Sequence, residues 1–572
     1  MKRLGDRFVG LIENTPLSDR LVLRLAFFAI IGAGIWLIIS LNNSQTSLSA
    51  VRGGMITEGI VGTPRFANPA LALTRADQDV TALVYSGLMK IGPDGTLMND
   101  VAESIEVSDD GLIYTIKIRK DVKFHDNTPL TARDVIYTIG LFQDPDLKSP
   151  LRGNWTDVFV DELSEYEMTI TLEEAYAPFI ENFTFGIMPA HAWSSLPIEQ
   201  LPFSQLNTEP VGSGPFKVLD AGRDTSGLIS HYTLEAWREN GYNPNIDTLE
   251  LSFYQNEEDL VLGLSEGVVD ATAYVPGEQI QQFTKENYIL YEVSLPRAFG
   301  IFFNQNRSSA LRDESVRAAL NVALDREQLI ESVLYGYGVP IVGPTPLKDD
   351  AIESEDSTTA TATGTPTERA IALLEDDGWS KNELDLWEKE IDEETVILSV
   401  TIKTSNAPLF EALVGAVADA WKAVGVEVVT EQYEQSALVQ SVIRPRDFQT
   451  LLFGLDMSRS YDLYPFWHSS QQNDPGLNIA QYTNVSVDEL LEAARTEQSE
   501  PTRISTLKEA SAIISEEQPA IFLFQPTMTY LVSDEVTMTP AHSIGRMSER
   551  FTNIESWHTE SDSLWSVFRD DL

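Results

Sequence analysis

YSGLMKIGPDGTLMNDVAESIEVSDDGLIYTIKIRKDVKFHDNTPLTARDVIYTI, residues 85–139, decides how the rest of the chain is read. Residues 103–107 read as a short strand. Ser108, Asp109, Asp110 and Gly111 follow as a turn, because Asp tolerates tight backbone and Gly supplies a positive φ. From Leu112 the residues alternate. Leu112, Tyr114, Ile116 and Ile118 point one way, and Thr115, Lys117 and Arg119 the other, as in a half-buried strand of a hairpin. Phe124, His125, Asp126 and Asn127 make a second turn. Thr131 then opens a helix as its N-cap, with Asp134 three residues on as a weaker capping box.

The ordered run from Gly87-Leu88 through Ala102-Glu103-Ser104 to the core at 118–126 resembles the signature of the family 5 extracytoplasmic solute-binding proteins. These are the peptide- and nickel-binding subunits of ATP-binding-cassette importers. Asn127 stands where that family has Gly, and Asn99-Asp100-Val101 replaces its Pro-x-Leu. Asn also tolerates the left-handed region, so the turn survives. Residues 51–59 resemble the family's opening strand, Asn68-Pro69 its next motif, 210–218 its Gly-rich turn, and 311–326 its helix pair. In the helix pair Val316, Ala319, Leu320 and Ala323 form a buried stripe, and Asp325 caps the second helix with Gln328.

The resemblance implies an α/β, periplasmic-binding-protein-like (type II) fold, with two lobes around a ligand cleft and three domains. Domain I would be assembled from 51–85, 206–297 and 521–572, domain II from 86–205, and domain III, the second lobe, from 298–520. Hinges are expected near Ser86, Leu206, Arg297 and Ile521.

Composition agrees with several lobes, since 572 residues exceed what one hydrophobic core organises. The chain has no cysteine, which excludes disulfides, thiolate metal sites, Cys nucleophiles and a lipidated N-terminal Cys. Its net charge of −47 argues against a nucleic-acid partner, because phosphate binding needs a basic face. That acidity reads as a solvated, self-repelling surface.

Lys2, Arg3, Arg7, Arg20 and Arg24 precede or open an apolar run over 25–41, extendable back to Leu21. A run of that length just spans a bilayer, and the positive charges before it keep the N-terminus inside. The expectation is a cytoplasmic 1–20, an uncleaved transmembrane anchor at 21–41 and a polar tether at 42–50. The binding region then lies on the extracytoplasmic side of a single-pass cell-membrane protein. A cleaved signal peptide is the competing reading, with Ser47, Ser49 and Ala50 as small residues near a cut.

Further along, 348–367 is acidic and rich in Ser and Thr and reads as a surface loop. The strand–helix–strand order over 398–402, 408–424 and 426–430 implies a parallel pair. Residues 521–524 read as a strand that returns the chain to the first lobe. The six histidines are scattered, and neither an HExxH helix nor a GxSxG elbow occurs, so the reading is a binding protein and not an enzyme. No cofactor and no metal site is expected.

Function follows from the resemblance: capture of short peptides in the interlobe cleft and delivery to permease subunits of an importer, by a monomer. Nickel chelates, sugars or a tethered sensor or chaperone are the alternatives. The candidate site is the stretch 456–470, which follows the apolar strand 450–455 and sets aromatics beside two acids. In peptide-binding members an Asp of the corresponding loop receives the ligand's α-amino group. The candidates carried over are Asp462 and Asp456, with Asp462 favoured. Trp467 and Tyr464 suit a side-chain pocket, and His468 a ligand carbonyl.

Overall fold

The computed structural model describes residues 16–345, 364–391 and 393–565. The expected surface loop lies, up to residue 363, outside them, as do residues 1–15 of the N-terminal segment.

A mixed sheet of 12 strands runs through the molecule. On one side stand Phe216–Arg223, Ile229–Ala236, Thr248–Tyr254 and Met55–Val61. On the other stand Arg297–Phe303, Thr450–Asp456, Ser399–Ser405 and Glu427–Tyr433. One 14-residue strand, Ala520–Ser533, joins the two halves. Its start pairs with Arg297–Phe303, and from Thr527 on it pairs with Tyr288–Ser294. Pro526 sits at the change of partner. Its carbonyl accepts from the Leu295 amide at 3.0 Å, and Gln525 Nε2 donates to the Leu295 carbonyl at 2.8 Å. The hydrophobic interior divides at the same place: one cluster is drawn from 56–295 and 528–557, the others from 298–524. These are two lobes joined by one crossing strand, Ala520–Ser533, and by the link Leu295-Pro296 between Tyr288–Ser294 and Arg297–Phe303.

The hairpin at the head of the sequence argument forms as its pattern dictates. Ala102–Val107 pairs with Ile113–Ile118 across a turn in which Gly111 has φ 70°. Tyr114, Ile116 and Ile118 are buried while Lys117 is exposed. With Glu167–Leu172 and Val158–Ser164 they make a four-stranded sheet on the first lobe. Asn127 takes φ 69°, so the residue that departs from the usual Gly adopts the conformation the turn needs. Thr131 caps Ala132–Gln143, and Asp134 accepts from the Thr131 amide at 2.9 Å. In the second lobe Ser399–Ser405, Pro408–Val424 and Glu427–Tyr433 form the parallel unit read from the sequence.

The N-terminal expectation is corrected. Among the described residues no helix is long and apolar enough to cross a membrane. A helix does form, Leu17–Gln45, and large apolar side chains between 21 and 37 stand 41–71% exposed on it. The expected tether is also more ordered than read, because Thr46–Ala50 pairs antiparallel with Ser561–Trp565.

Candidate functional site

Asp456 ends the strand Thr450–Asp456 directly opposite Arg297, and Arg297 Nε donates to its carboxylate at 2.9 Å. Both residues therefore stand where the chain crosses between lobes. Beside them opens a cavity of about 670 Å³. Its first-lobe wall comes from the segment after Asn68-Pro69, from the face of Arg75–Val84 and the turn that follows it, and from 546–555 near the C-terminus. Among the described residues that line it, Asp456 alone comes from the second lobe.

Much of the charge on this wall is internally matched. Tyr242 donates to the Asp100 carboxylate at 2.6 Å. Burial pushes the Asp100 carboxyl up, and Lys90 and the Tyr242 hydroxyl pull it back. Lys90 lies 5.0 Å from the Tyr242 ring centroid and 3.6 Å from Glu555. Glu549 pairs with Arg459. The Asp456 carboxylate is half-exposed to the cleft and held in direction by Arg297. Such a wall offers a positioned anion facing a partly apolar cavity, which suits a ligand with a cationic end.

The remaining candidates fall elsewhere. Asp462 is 8% exposed and is not on the cavity wall. One of its oxygens accepts from the Tyr464 amide at 3.0 Å, the other from the Tyr176 hydroxyl at 3.2 Å, with Arg495 Nε at 3.4 Å. Tyr464 and His468 stack with ring centroids 4.1 Å apart. His468 Nδ1 meets Ser470 at 2.8 Å, and its Nε2 lies 3.3 Å from Glu492. Trp467 is buried in the second-lobe core against Phe302, Tyr482 and Phe522. The structure thus gathers Asp462, Tyr464 and His468, sends Trp467 inward and leaves Asp456 on the cleft.

Sequence reasoning passed over Tyr176, Arg459, Arg495 and the wall at 546–555. Arg459 lies within 456–470 but carries no motif of its own, and no local spacing links Tyr176, Arg495 or 546–555 to that stretch, because they meet it only in the folded chain. Asn68-Pro69 was the available signal for the first-lobe wall. His191 pairs with Asp126 at 2.7 Å on the surface, away from the cavity. Among the described residues no group of three or more His, Cys, Asp or Glu is placed to hold a metal ion.

Comparison with known proteins agrees with this architecture. The oligopeptide-binding protein AppA of Bacillus subtilis (strain 168) is 28% identical over 530 residues, covering 90% of this chain and 94% of that protein. The probable D,D-dipeptide-binding periplasmic protein DdpA of Escherichia coli (strain K12) is 23% identical, over 86% of this chain and 93% of that one. The solved structure of the Bacillus subtilis AppA in complex with a nonapeptide superposes with a TM-score of 0.64 at 26% identity, covering 90% of this chain and all of that one. Residues 96–475 match the family described as Bacterial extracellular solute-binding proteins, family 5 Middle. A match over well over half of the chain, on a two-lobed fold with a cavity at the crossing, means that this protein belongs to the bacterial extracellular solute-binding proteins, family 5.

Proposed function

We propose that the chain captures short peptides outside the cytoplasm, in the cavity between its lobes, and delivers them to an ATP-driven importer. The observation that carries this reading is the 670 Å³ cavity lined by the first lobe, with Asp456 reaching its wall from the second. Relatives named for oligopeptide and dipeptide binding support the ligand class. In this reading Asp456 receives the peptide's α-ammonium. A cation leaving water needs an anionic partner, and a charge-assisted bond is the strong kind. Asp462, whose oxygens are already engaged, is assigned to the contact between lobes. The three-domain division, 51–85 with 206–297 and 521–572, then 86–205, then 298–520, belongs to the same proposal.

A thermal-shift screen of the full chain against di- to hexapeptides tests the ligand, since binding to the folded state raises its melting point by mass action. Shifts for peptides support the reading. Shifts only for a nickel chelate or a sugar replace it. Asp456→Asn should weaken a free-amine peptide by on the order of 2 kcal/mol, the low end for such a pair because Arg297 shares the carboxylate, and leave its N-acetylated form nearly unchanged. Equal losses for both forms would move the amine site elsewhere.

The N-terminal helix has its own part in the proposal. Apolar side chains exposed around Leu17–Gln45 would attach the protein to a membrane surface. Recovery of the full chain in the membrane fraction, and its release when residues 17–45 are deleted, is the expected result. An unchanged distribution on deletion overturns it.

A further inference from the structure

Away from the cavity, the lobes meet at a second place. Arg495, on the second-lobe helix Val485–Thr496, lies with its guanidinium 4.3 Å from the ring centroid of Tyr464 and 4.7 Å from that of Tyr176. Tyr464 belongs to the same lobe and Tyr176 to the other. The buried Asp462 neutralises Arg495 and accepts the Tyr176 hydroxyl proton at 3.2 Å. A few residues back, Arg459 donates to the Gly95 carbonyl at 3.0 Å and pairs with Glu549, both on the first lobe. Glu181, again on the first lobe, faces the Ser460 amide.

Three features mark this contact as more than incidental touching. It is charge-matched in a chain with 87 acidic and 40 basic residues, where two acidic lobes repel unless cations stand between them. It holds backbone strain, with Ser458 at φ 56° and Tyr461 at φ 52°, a conformation that bulky residues keep only when surrounding contacts impose it. And except for Glu549 its members are not on the cavity wall, so most of its contacts are made whether or not the cavity holds a ligand.

We propose that Arg459 and Arg495, with Asp462 and the loop 458–462, form a clasp that grips Tyr176, Gly95 and Glu549 of the first lobe and biases the protein toward the closed form before any ligand arrives. The clasp uses only the two-lobed architecture and is independent of the peptide reading. It sets affinity by population: the more closed the empty protein, the less of the binding energy is spent on closing it.

The absence of cysteine makes the test direct. Ser164→Cys on the first lobe and Ala412→Cys on the second give a single label pair on the full chain, and the distance distribution between labels is recorded with no peptide present. The parent should show mainly the short distance. Arg495→Ala should raise the ratio of long to short distance about tenfold, the effect of about 1.4 kcal/mol, and Arg459→Ala should act in the same direction. Tyr176→Phe keeps the ring and removes one hydroxyl, so a smaller shift is expected, and it serves if either alanine variant fails to fold. A parent already at the long distance, or distributions unmoved in every folded variant, overturns the clasp and leaves the peptide proposal untouched.

Discussion

Glu181 sits where the lobes meet, and its carboxyl is pushed up to about 7 from 4.5 by loss of solvent. Arg459 and Arg503 pull it back and Glu549 adds to the rise, while Tyr176 and Tyr461 face it as neutral hydroxyls. When the lobes part, the carboxyl returns to water and its ordinary value. The closed form therefore holds the proton more tightly. Its advantage is complete below about 4.5 and is lost as pH rises through about 7. The open fraction of the label pair should grow between about pH 5 and about pH 8 in the parent, and Glu181→Gln should flatten that change. Identical profiles would sink the assignment. A different residue governs stability. Arg550 is 1% exposed and shared between two buried carboxylates, Asp79 at 2.7 and 2.8 Å and Glu58 at 2.9 Å. Tyr530 and Tyr274 complete the set at 2.7 and 3.1 Å. Arg550→Ala strands two buried anions and should cost about 3–5 kcal/mol in urea unfolding. A loss under about 1 kcal/mol would mean that the anions find water or protons at little cost.

At the scale of elements, the helix Pro408–Val424 tests how far local rules reach. Pro408 at its start and Gly425 after its end are both visible in the sequence, and its bounds were legible for that reason. Gly425 has φ 99°, and a Cβ there would meet Lys381 Nζ at 3.0 Å, so Gly425→Ala should destabilise by about 1–2 kcal/mol. Gly415 lies mid-helix with nothing within 4 Å of a Cβ, so Gly415→Ala should stabilise by about 1 kcal/mol. Thermal melts of the two variants should move in opposite directions; movement in the same direction refutes the argument. The strand Ala520–Ser533 shows the opposite limit. Only 521–524 reads as a strand, because Gln525 and Pro526 break its apolar run. The strand nevertheless continues, since Pro526 falls where the pairing partner changes and a missing N–H costs least.

At the scale of the whole molecule the net charge of −47 acts on every surface at once. Raising ionic strength from about 0.01 M to about 0.15 M shortens the screening length from about 30 Å to about 8 Å. Self-repulsion between and within the lobes should fall, and the melting point of the full chain should rise over that range. A melting point independent of salt would show that the acids are already neutralised locally by their partners. Length alone called for more than one lobe, and which segments build each was expected only through resemblance to a family. Composition and periodicity supply helices and strands, and nothing in them says which strand crosses.

By itself the sequence determined the hairpin at 102–118, the capped helix after it, the parallel unit of the second lobe and, through their order, the family. Each depends on interactions between residues close in the chain, where spacing and residue type carry the information. It could not separate Asp456 from Asp462. The two are six positions apart, follow the same strand and have the same chemistry. Only the tertiary structure turned one toward the cavity beside Arg297 and set the other against Tyr176, 286 residues away. The role of a carboxylate is decided by the partners that reach it, and here one partner stands on the neighbouring strand and the other on the opposite lobe.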